Sequence, residues 1–245
     1  MSHGDEEIQL RGVGSMATRH LLAALADMAA DRGVAQIAFT AGGGVAVADA
    51  IRAGESADVI VLAQSAVQTL AEEGHLLAES IRPVFVSDAV LGVPANRDAQ
   101  APQTSEELRS LLLAAQRIGY STGPSGQAFL ALLDALGIRE EVDGRLVQAR
   151  PGMPVAGMLA AGEIDLGLQQ LSEMGGTDGV TILGPLPAPH AISSVFSAAV
   201  GCASVEGESA AAFIDFLTDP QNQSLVERHG MTPATAIRNE CKECS

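Results

Sequence analysis

The chain has 245 residues, with 30 acidic against 14 basic side chains and a formal net charge of −16. That balance argues against a nucleic-acid partner, which needs a basic footprint to neutralise phosphates, and equally against an anionic membrane surface. No apolar run approaches the roughly 20 residues needed to span a bilayer, so no membrane insertion is expected. The apolar fraction of 47% contains only 3% aromatic residues and no Trp, so the core must be built from Ala, Val, Leu and Ile. The acidity itself reads as solubility, with Glu72, Glu73, Glu140 and Glu141 on solvated helix faces.

The predicted elements alternate. Ile8–Val13 is a strand, Ala17–Ala30 a helix with its apolar stripe at Leu21, Leu25 and Met28, and Ala35–Phe39 a second strand. Gly44–Arg52 is a helix, Ala57–Leu62 a buried strand, and Gln64–Glu73 a helix closed by Gly74. Arg82–Val93 breaks the pattern as a long extended segment without a crossover helix, followed by a polar linker, Asn96–Thr104. A second series then runs through helix Ser105–Gln116, strand Arg117–Tyr120, helix Gln127–Leu136, strand Arg145–Ala149, helix Val155–Ala161 and strand Ile164–Leu168. Ile192–Ala199 is again extended, and helices Glu208–Leu217 and Gln221–His229 close the chain before Gly230.

A repeated β–α–β order means parallel pairing, right-handed crossovers, helices on both faces and ligand contacts at the carboxyl ends of strands. The expected fold is therefore α/β, with two Rossmann-like lobes, mixed and mainly parallel sheets, and an interlobe cleft. Lobe 1 is expected from residues 8–83 plus 195–238 and lobe 2 from 84–194, with residues 1–7 and 239–245 as tails. Two extended segments cross between them.

Three strand-to-helix turns are rich in Gly and Ser: Gly12, Gly14, Ser15 and Met16; Thr40 with Gly42, Gly43 and Gly44; and Ser121, Thr122, Gly123, Ser125 and Gly126. A helix start leaves its first amides without intrahelical partners and carries partial positive charge, so it can hold an anion without a lysine. Taken singly, each turn is equally a tight turn with an N-cap; three in one chain, on opposed walls of a cleft, make an anion clamp. Gln169 and Gln170 follow the strand ending at Leu168 and face the same cleft as amide donors and acceptors, or else are solvated loop residues. Arg19, Arg82 and Arg150 lie nearest the rim, Arg19 best placed as a bidentate partner for a carboxylate.

Other chemistries lack their residues. The lone lysine is Lys242, so no Walker A loop exists, and no Gly-x-Gly-x-x-Gly fingerprint stands in the required setting. Ser125 in Gly-Pro-Ser-Gly-Gln misses the Gly-x-Ser-x-Gly elbow of serine hydrolases. His20, His75, His190 and His229 are scattered, no metal site is predicted and no cofactor is implied. Cys202 reads as a small core residue within an apolar strand, and Cys241 and Cys244 as a tail pair without two further zinc ligands. The polar start Met1–Glu7 is no export leader, which places the chain as written in the cytoplasm; a mature domain whose leader was removed would be periplasmic. A monomer is expected.

Gly-Glu-Ser-Ala-Asp-Val-Ile-Val-Leu-Ala at 54–63, Gly-Pro-Ser-Gly at 123–126, Gly-Glu-Ile-Asp-Leu-Gly-Leu-Gln-Gln-Leu-Ser-Glu at 162–173 and Phe-Leu-Thr-Asp-Pro-Gln-Asn-Gln with the later Arg-His-Gly-Met resemble the type II periplasmic-binding-protein family, in its molybdate-binding-protein-like branch. The resemblance covers about residues 8–235. It implies a ligand held at Ser15, at Gly43 or Gly44, at Ser125, at Val155 and at Gln170, and a transporter permease as partner if the chain is exported. Two departures bear on the ligand. Gly42–Gly44 stands where molybdate binders carry a serine hydroxyl, and Gln170 where they carry a tyrosine. Losing two hydroxyl donors and gaining room disfavours a tetrahedral oxyanion and favours an organic di- or tricarboxylate.

The branch also includes aconitate isomerase, which this chain resembles as well. That implies an alternative function: a cofactor-independent isomerase of a small unsaturated polycarboxylate, acting by an allylic proton shift with backbone donors on the developing oxyanion. No base is compelled by the residues; His20, Glu173 and His190 are the candidates.

Overall fold

The computed structural model describes residues 9–150 and 153–236; the start of the chain and the Cys241–Cys244 pair lie outside these. Backbone contacts divide the chain into two compact units. One takes the residues up to Val86 and from Val195 onward, the other Ser87–Ser194.

In chain order the first unit contains β1 (Gln9–Ser15), α1 (Arg19–Asp31), β2 (Gln36–Gly42), α2 (Gly44–Arg52), β3 (Val59–Ala63) and α3 (Gln64–Glu72). Strand β4 (Arg82–Pro94) begins there and continues into the second unit. The second unit holds α4 (Ser105–Ala114), β5 (Ile118–Tyr120), α5 (Pro124–Ala135), α6 (Arg139–Val142), β6 (Leu146–Gln148), α7 (Val155–Ala160), β7 (Leu166–Gln170), α8 (Leu171–Met174) and β8 (Val180–Pro185). Strand β9 (Ser193–Val200) returns the chain to the first unit, completed by α9 (Gly207–Leu217), α10 (Gln223–Arg228) and the short β10 (Thr232–Pro233). No described helix is long and apolar enough to cross a membrane.

In the first unit β1 pairs in parallel with both β2 and β3, and β9 runs antiparallel to β3. The run Val59–Leu62 is buried on both faces, and strand alternation splits it between two cores. Val59 and Val61 pack with Leu21, Leu25 and Phe213 under α1 and α9; Ile60 and Leu62 pack with Ile51, Val67 and Leu70 under α2 and α3. The second unit repeats the plan. Its β5 pairs in parallel with β6 and β7, while β4 runs antiparallel to β7 and β8. Leu91, Ile118, Phe129 and Leu168 form a core against α4 and α5, and Val90, Val155, Leu159 and Met174 form another against α7 and α8.

Several predicted boundaries move. Helix α1 starts at Arg19, not Ala17, because Met16–Thr18 forms a 3-10 turn capped by Ser15. Helix α5 starts at Pro124 rather than Gln127, since proline's fixed φ suits a first helical position; Ser125 and Gly126 thus lie in its first turn. Strand β7 runs on to Gln170 because β4 pairs with it through Ala89 and Val90. Cys202 is exposed, not core. Strand β9 ends at Val200, Gly201 adds one antiparallel bridge to Leu76, and Cys202 lies in the turn beyond it, its amide donating to the His75 carbonyl at 3.0 Å.

Asp165 locks the second sheet. Its carboxylate accepts from the amides of Gln116 and Arg117, the latter at 2.7 Å, and from Arg97 Nη1 at 2.5 Å. Burial pushes its pKa up, yet the two amides and the Arg97 guanidinium outweigh this and leave it below the ordinary carboxylate value. A carboxylate held down in this way stabilises the fold above its unfolded pKa, and that stability fades as pH falls through the folded one. Asp165→Ala is expected to lower stability by about 1–3 kcal/mol at neutral pH, with the gap to wild type closing in acid; urea denaturation at pH 7 and pH 3 measures it. An equal deficit at both pH values would assign the loss to packing.

Candidate functional site

In the first unit, parallel register sets Ser15 beside Gly42 and Gly14 beside Ala41, so β1 and β2 release their turns at the same edge of the sheet. Gly14 is required by close approach: a Cβ there would stand 2.7 Å from Leu22 Cδ1 of α1. Ser15, 8% exposed, caps the 3-10 turn by accepting from the Ala17 amide at 3.1 Å, and Thr18 Oγ1 donates to the Ser15 carbonyl at 3.0 Å. The Ser15 hydroxyl keeps its own hydrogen for a further acceptor. Met16 is among the few exposed large apolar residues, and the Arg19 guanidinium meets His20 Nε2 at 2.8 Å.

The second turn is built differently. Gly43 caps α2 with no side chain to occupy the helix's first amides, and a Cβ at Gly43 or Gly44 would meet nothing within 4 Å. Gly42 has less room, with Val47 Cγ2 at 3.0 Å from such an atom. An uncapped helix start beside open space suits an anion, because its leading N–H groups lack intrahelical acceptors.

In the second unit, Tyr120 of β5 lies beside Leu168 of β7 in parallel register. The turn at Ser121–Gly123 and the pair Gln169–Gln170, the last residues of β7, therefore lie at the same end of neighbouring strands. Ser125, 5% exposed, shares a hydrogen bond with Ser121 across 2.9 Å between the hydroxyl oxygens. Thr122 is exposed. Gly126 sits directly under the Ser121 carbonyl, where no side chain fits.

The two glutamines are not loop residues. They end β7, both buried, and alternation turns them to opposite faces. Gln169 Oε1 accepts from the Ala156 amide at 2.9 Å and its Nε2 donates to Glu173 Oε2 at 2.9 Å, so Gln169 serves as the cap of α7 that Pro154 does not supply. Val155, the first residue of α7, is fully buried. Gln170 Nε2 donates to Ser194 Oγ at 2.7 Å, while its Oε1 is sealed from solvent without a partner among the described residues. Leaving a buried acceptor unmatched costs about 1–3 kcal/mol.

Of the remaining candidates, His190 Nε2 lies 2.9 Å from Ser105 Oγ at the start of α4, apart from the strand-end turns. Arg82 donates to the carbonyls of Glu79 and Ile81, and Arg150 pairs with Glu163 at 3.1 Å; both are engaged in local structure. His229 is pushed below the ordinary histidine pKa by burial, with His20 and Arg228 adding to it. No group of three or more His, Cys, Asp or Glu side chains that could hold a metal occurs among the described residues. Ser121, the hydroxyl partner of Ser125, was read in the sequence as part of its turn but not as that partner. Ser194, the partner of Gln170, was not singled out and has no local signal.

Two α/β units joined by two crossing strands, each opening helices at its strand ends, define a solute-binding protein of the type II periplasmic fold. The chain belongs to the bacterial extracellular solute-binding protein family, whose model matches residues 10–232. An aconitate isomerase from a Pseudomonas species is 28% identical over 196 residues, 78% of this chain and 73% of that enzyme. Among solved structures, the periplasmic molybdate-binding protein of Azotobacter vinelandii superposes with a TM-score of 0.77 at 20% identity, covering 91% of this chain and 98% of that one. The sulfate-binding protein SubI of Mycobacterium tuberculosis gives 0.72 at 17% identity, covering 92% and 87%.

Proposed function

We propose that this chain binds a small organic carboxylate at strand-end turns, the candidates being Gly14–Met16 with Arg19 and Gly42–Gly44 in the first unit and Thr122–Gly126, Val155, Gln169 and Gln170 in the second. The observation that carries this reading is the uncapped start of α2 beside the open space at Gly43 and Gly44, in register with the Ser15 turn. Helix-start amides supply the attraction, each helix end acting as about half a positive charge, which explains how so acidic a chain holds an anion. Ser15 and Ser125 add hydroxyl donors, and Arg19 suits a carboxylate at the rim. The room left by the glycines fits a di- or tricarboxylate better than a compact oxyanion. Its partner in this reading is a transporter permease, and its place of work the periplasm, as the family's extracellular description supports.

The test is thermal denaturation with molybdate, sulfate, citrate and the aconitates. A ligand at 100 times its Kd adds about 2.7 kcal/mol, which raises the Tm of a chain this size by roughly 5–10 °C. Stabilisation by carboxylates is expected, weakened in Ser125→Ala by about 1–3 kcal/mol of binding energy. Stabilisation by molybdate alone would overturn the carboxylate reading, and an unchanged affinity in Ser125→Ala would remove that hydroxyl from the site.

The aconitate isomerase relative favours a second reading, in which the bound polycarboxylate undergoes an allylic proton shift. A base removes the proton and returns it one allylic position away, while the amides stabilise the transient oxyanion. Glu173, oriented by Gln169, His20 and His190 are the candidate bases. Incubation with cis-aconitate decides it: appearance of the trans isomer establishes the enzyme, and no conversion at high protein concentration leaves binding alone.

A further inference from the structure

Acidic side chains outnumber basic ones by 30 to 14, yet the first unit gathers four basic residues from distant parts of the sequence. Arg19 and His20 open α1; Arg228 ends α10, with His229 as its cap. Leu21 and Leu22 of α1 belong to the same hydrophobic core as Leu225, Val226 and Met231, so the two helix ends lie together. Burial, and then the charges of His20 and Arg228, push His229 below the ordinary histidine value. Arg19, His20 and Arg228 are exposed and His229 is half-buried, so the cluster is open to solvent. Arg52, Arg97, Arg109, Arg139 and Arg150 each have a carboxylate within 3.6 Å, but none of these four basic groups pairs with one among the described residues. Glu227, next to Arg228 in sequence, accepts from Gln223 Nε2 at 2.8 Å instead. Basic groups suit the negative end of α10. At α1 they stand at the positive end, and its first turn holds no acidic residue to offset them. A guanidinium only donates, so His20 Nε2 accepts from Arg19 Nη2 at 2.8 Å; this leaves Arg19 its full charge and its other N–H groups.

We propose that Arg19, Arg228 and His229 form a carboxylate subsite separate from the helix-start amides, which selects ligands bearing one carboxylate more than those amides take. This rests on the reading that the Ser15 turn holds a carboxylate, since Arg19 follows that turn directly. Amides and hydroxyls draw an anion in without cancelling its charge. The cluster supplies whole positive charges, and a guanidinium fork matches a carboxylate through two parallel N–H bonds. Left empty, it sets its charge against the α1 dipole. A further carboxylate relieves that opposition, and a ligand without one leaves it in place, so the cluster discriminates by charge rather than by size.

Titration calorimetry near neutral pH tests the subsite with two matched pairs, tricarballylate against glutarate and trans-aconitate against glutaconate, each differing by a single carboxylate on the same carbon chain. The tricarboxylate of each pair is expected to bind roughly 10–100-fold tighter to the wild type. In Arg228→Gln that ratio should fall by roughly tenfold, with glutarate and glutaconate nearly unchanged, because Arg228 meets only the added carboxylate. Arg32→Gln is the control for charge acting at long range. It removes the same charge from the far end of α1, where the Arg32 guanidinium lies 5.6 Å over the Phe216 ring, and should leave the ratio as in the wild type. The ratio is the readout, since damage to the fold lowers both affinities of a pair alike. Equal binding within the pairs, a preference that survives in Arg228→Gln, or an equal fall in Arg32→Gln overturns the subsite while leaving the carboxylate reading intact. Failure of every carboxylate to bind overturns the subsite and the carboxylate reading together.

Discussion

Gly126→Ala destabilises the protein by about 1–3 kcal/mol and abolishes anion binding at the second unit, in the outcome expected from its packing. A Cβ at this position would lie against the carbonyl group of Ser121, with the carbonyl carbon only 2.8 Å away, and the obstruction is backbone that no rotamer change can clear. The first turn of α5 must therefore lift away from the loop after β5. Lifting it parts the Ser121 and Ser125 hydroxyls and swings the leading amides off their direction, so structure and binding fail together. Gly123→Ala is the control: nothing lies within 4 Å of a Cβ there and its φ of −84° suits any residue. Thermal denaturation should separate the two variants by several degrees. A Gly126→Ala protein as stable as Gly123→Ala, with ligand affinity retained, would refute the account of this turn.

Gly43→Ser is expected to act in the opposite direction. Its φ of −58° and ψ of 132° are open to any residue, and the added side chain enters empty space at the N-cap of α2. Serine is a somewhat better cap than glycine, so stability should rise by a few tenths of a kcal/mol, roughly. The larger effect is on ligand choice. A hydroxyl on this turn restores a donor that the resemblance to molybdate-binding proteins places there, and a hydrogen bond to a charged oxygen contributes about 1.5–3 kcal/mol. Molybdate or sulfate affinity should rise roughly tenfold or more, and citrate should weaken as its room is taken. Calorimetry with the two ligand types measures the crossover; no change for either would place Gly43 away from the ligand.

Much of the fold is legible because its signals are local. Val59–Leu62 declares a strand buried on both faces, and the split of its side chains between two cores follows from strand alternation alone. Gly42–Gly44 and Gly-Pro-Ser-Gly announce helix starts through the backbone freedom and capping chemistry of those residues. Boundaries were less legible. The 3-10 turn at Met16–Thr18 delays α1 because Ser15 takes the capping role early, and Pro124 advances α5. Strand β8 went unseen although Val180–Leu183 is a β-branched, apolar run closed by Gly184 and Pro185; what the fold adds is its pairing with the distant β4. Cys202 was misplaced because its apolar neighbours suggest continued strand, but β9 has ended.

At the site the same division holds. Composition and the three Gly- and Ser-rich turns were sufficient to determine an α/β chain whose helix starts suit an anion without lysine, because capping and charge act over a few residues. Tertiary structure decided how the polar side chains are spent. Gln169 and Gln170 look alike in sequence, yet one caps α7 and steadies Glu173 while the other keeps a sealed oxygen with no partner among the described residues. That difference depends on Ala156 and Ser194, 13 and 24 residues away along the chain, which the packing of α7 and the start of β9 bring into contact. Whether a buried polar atom is matched is a property of everything packed around it, and for Gln170 only the fold brings those groups together.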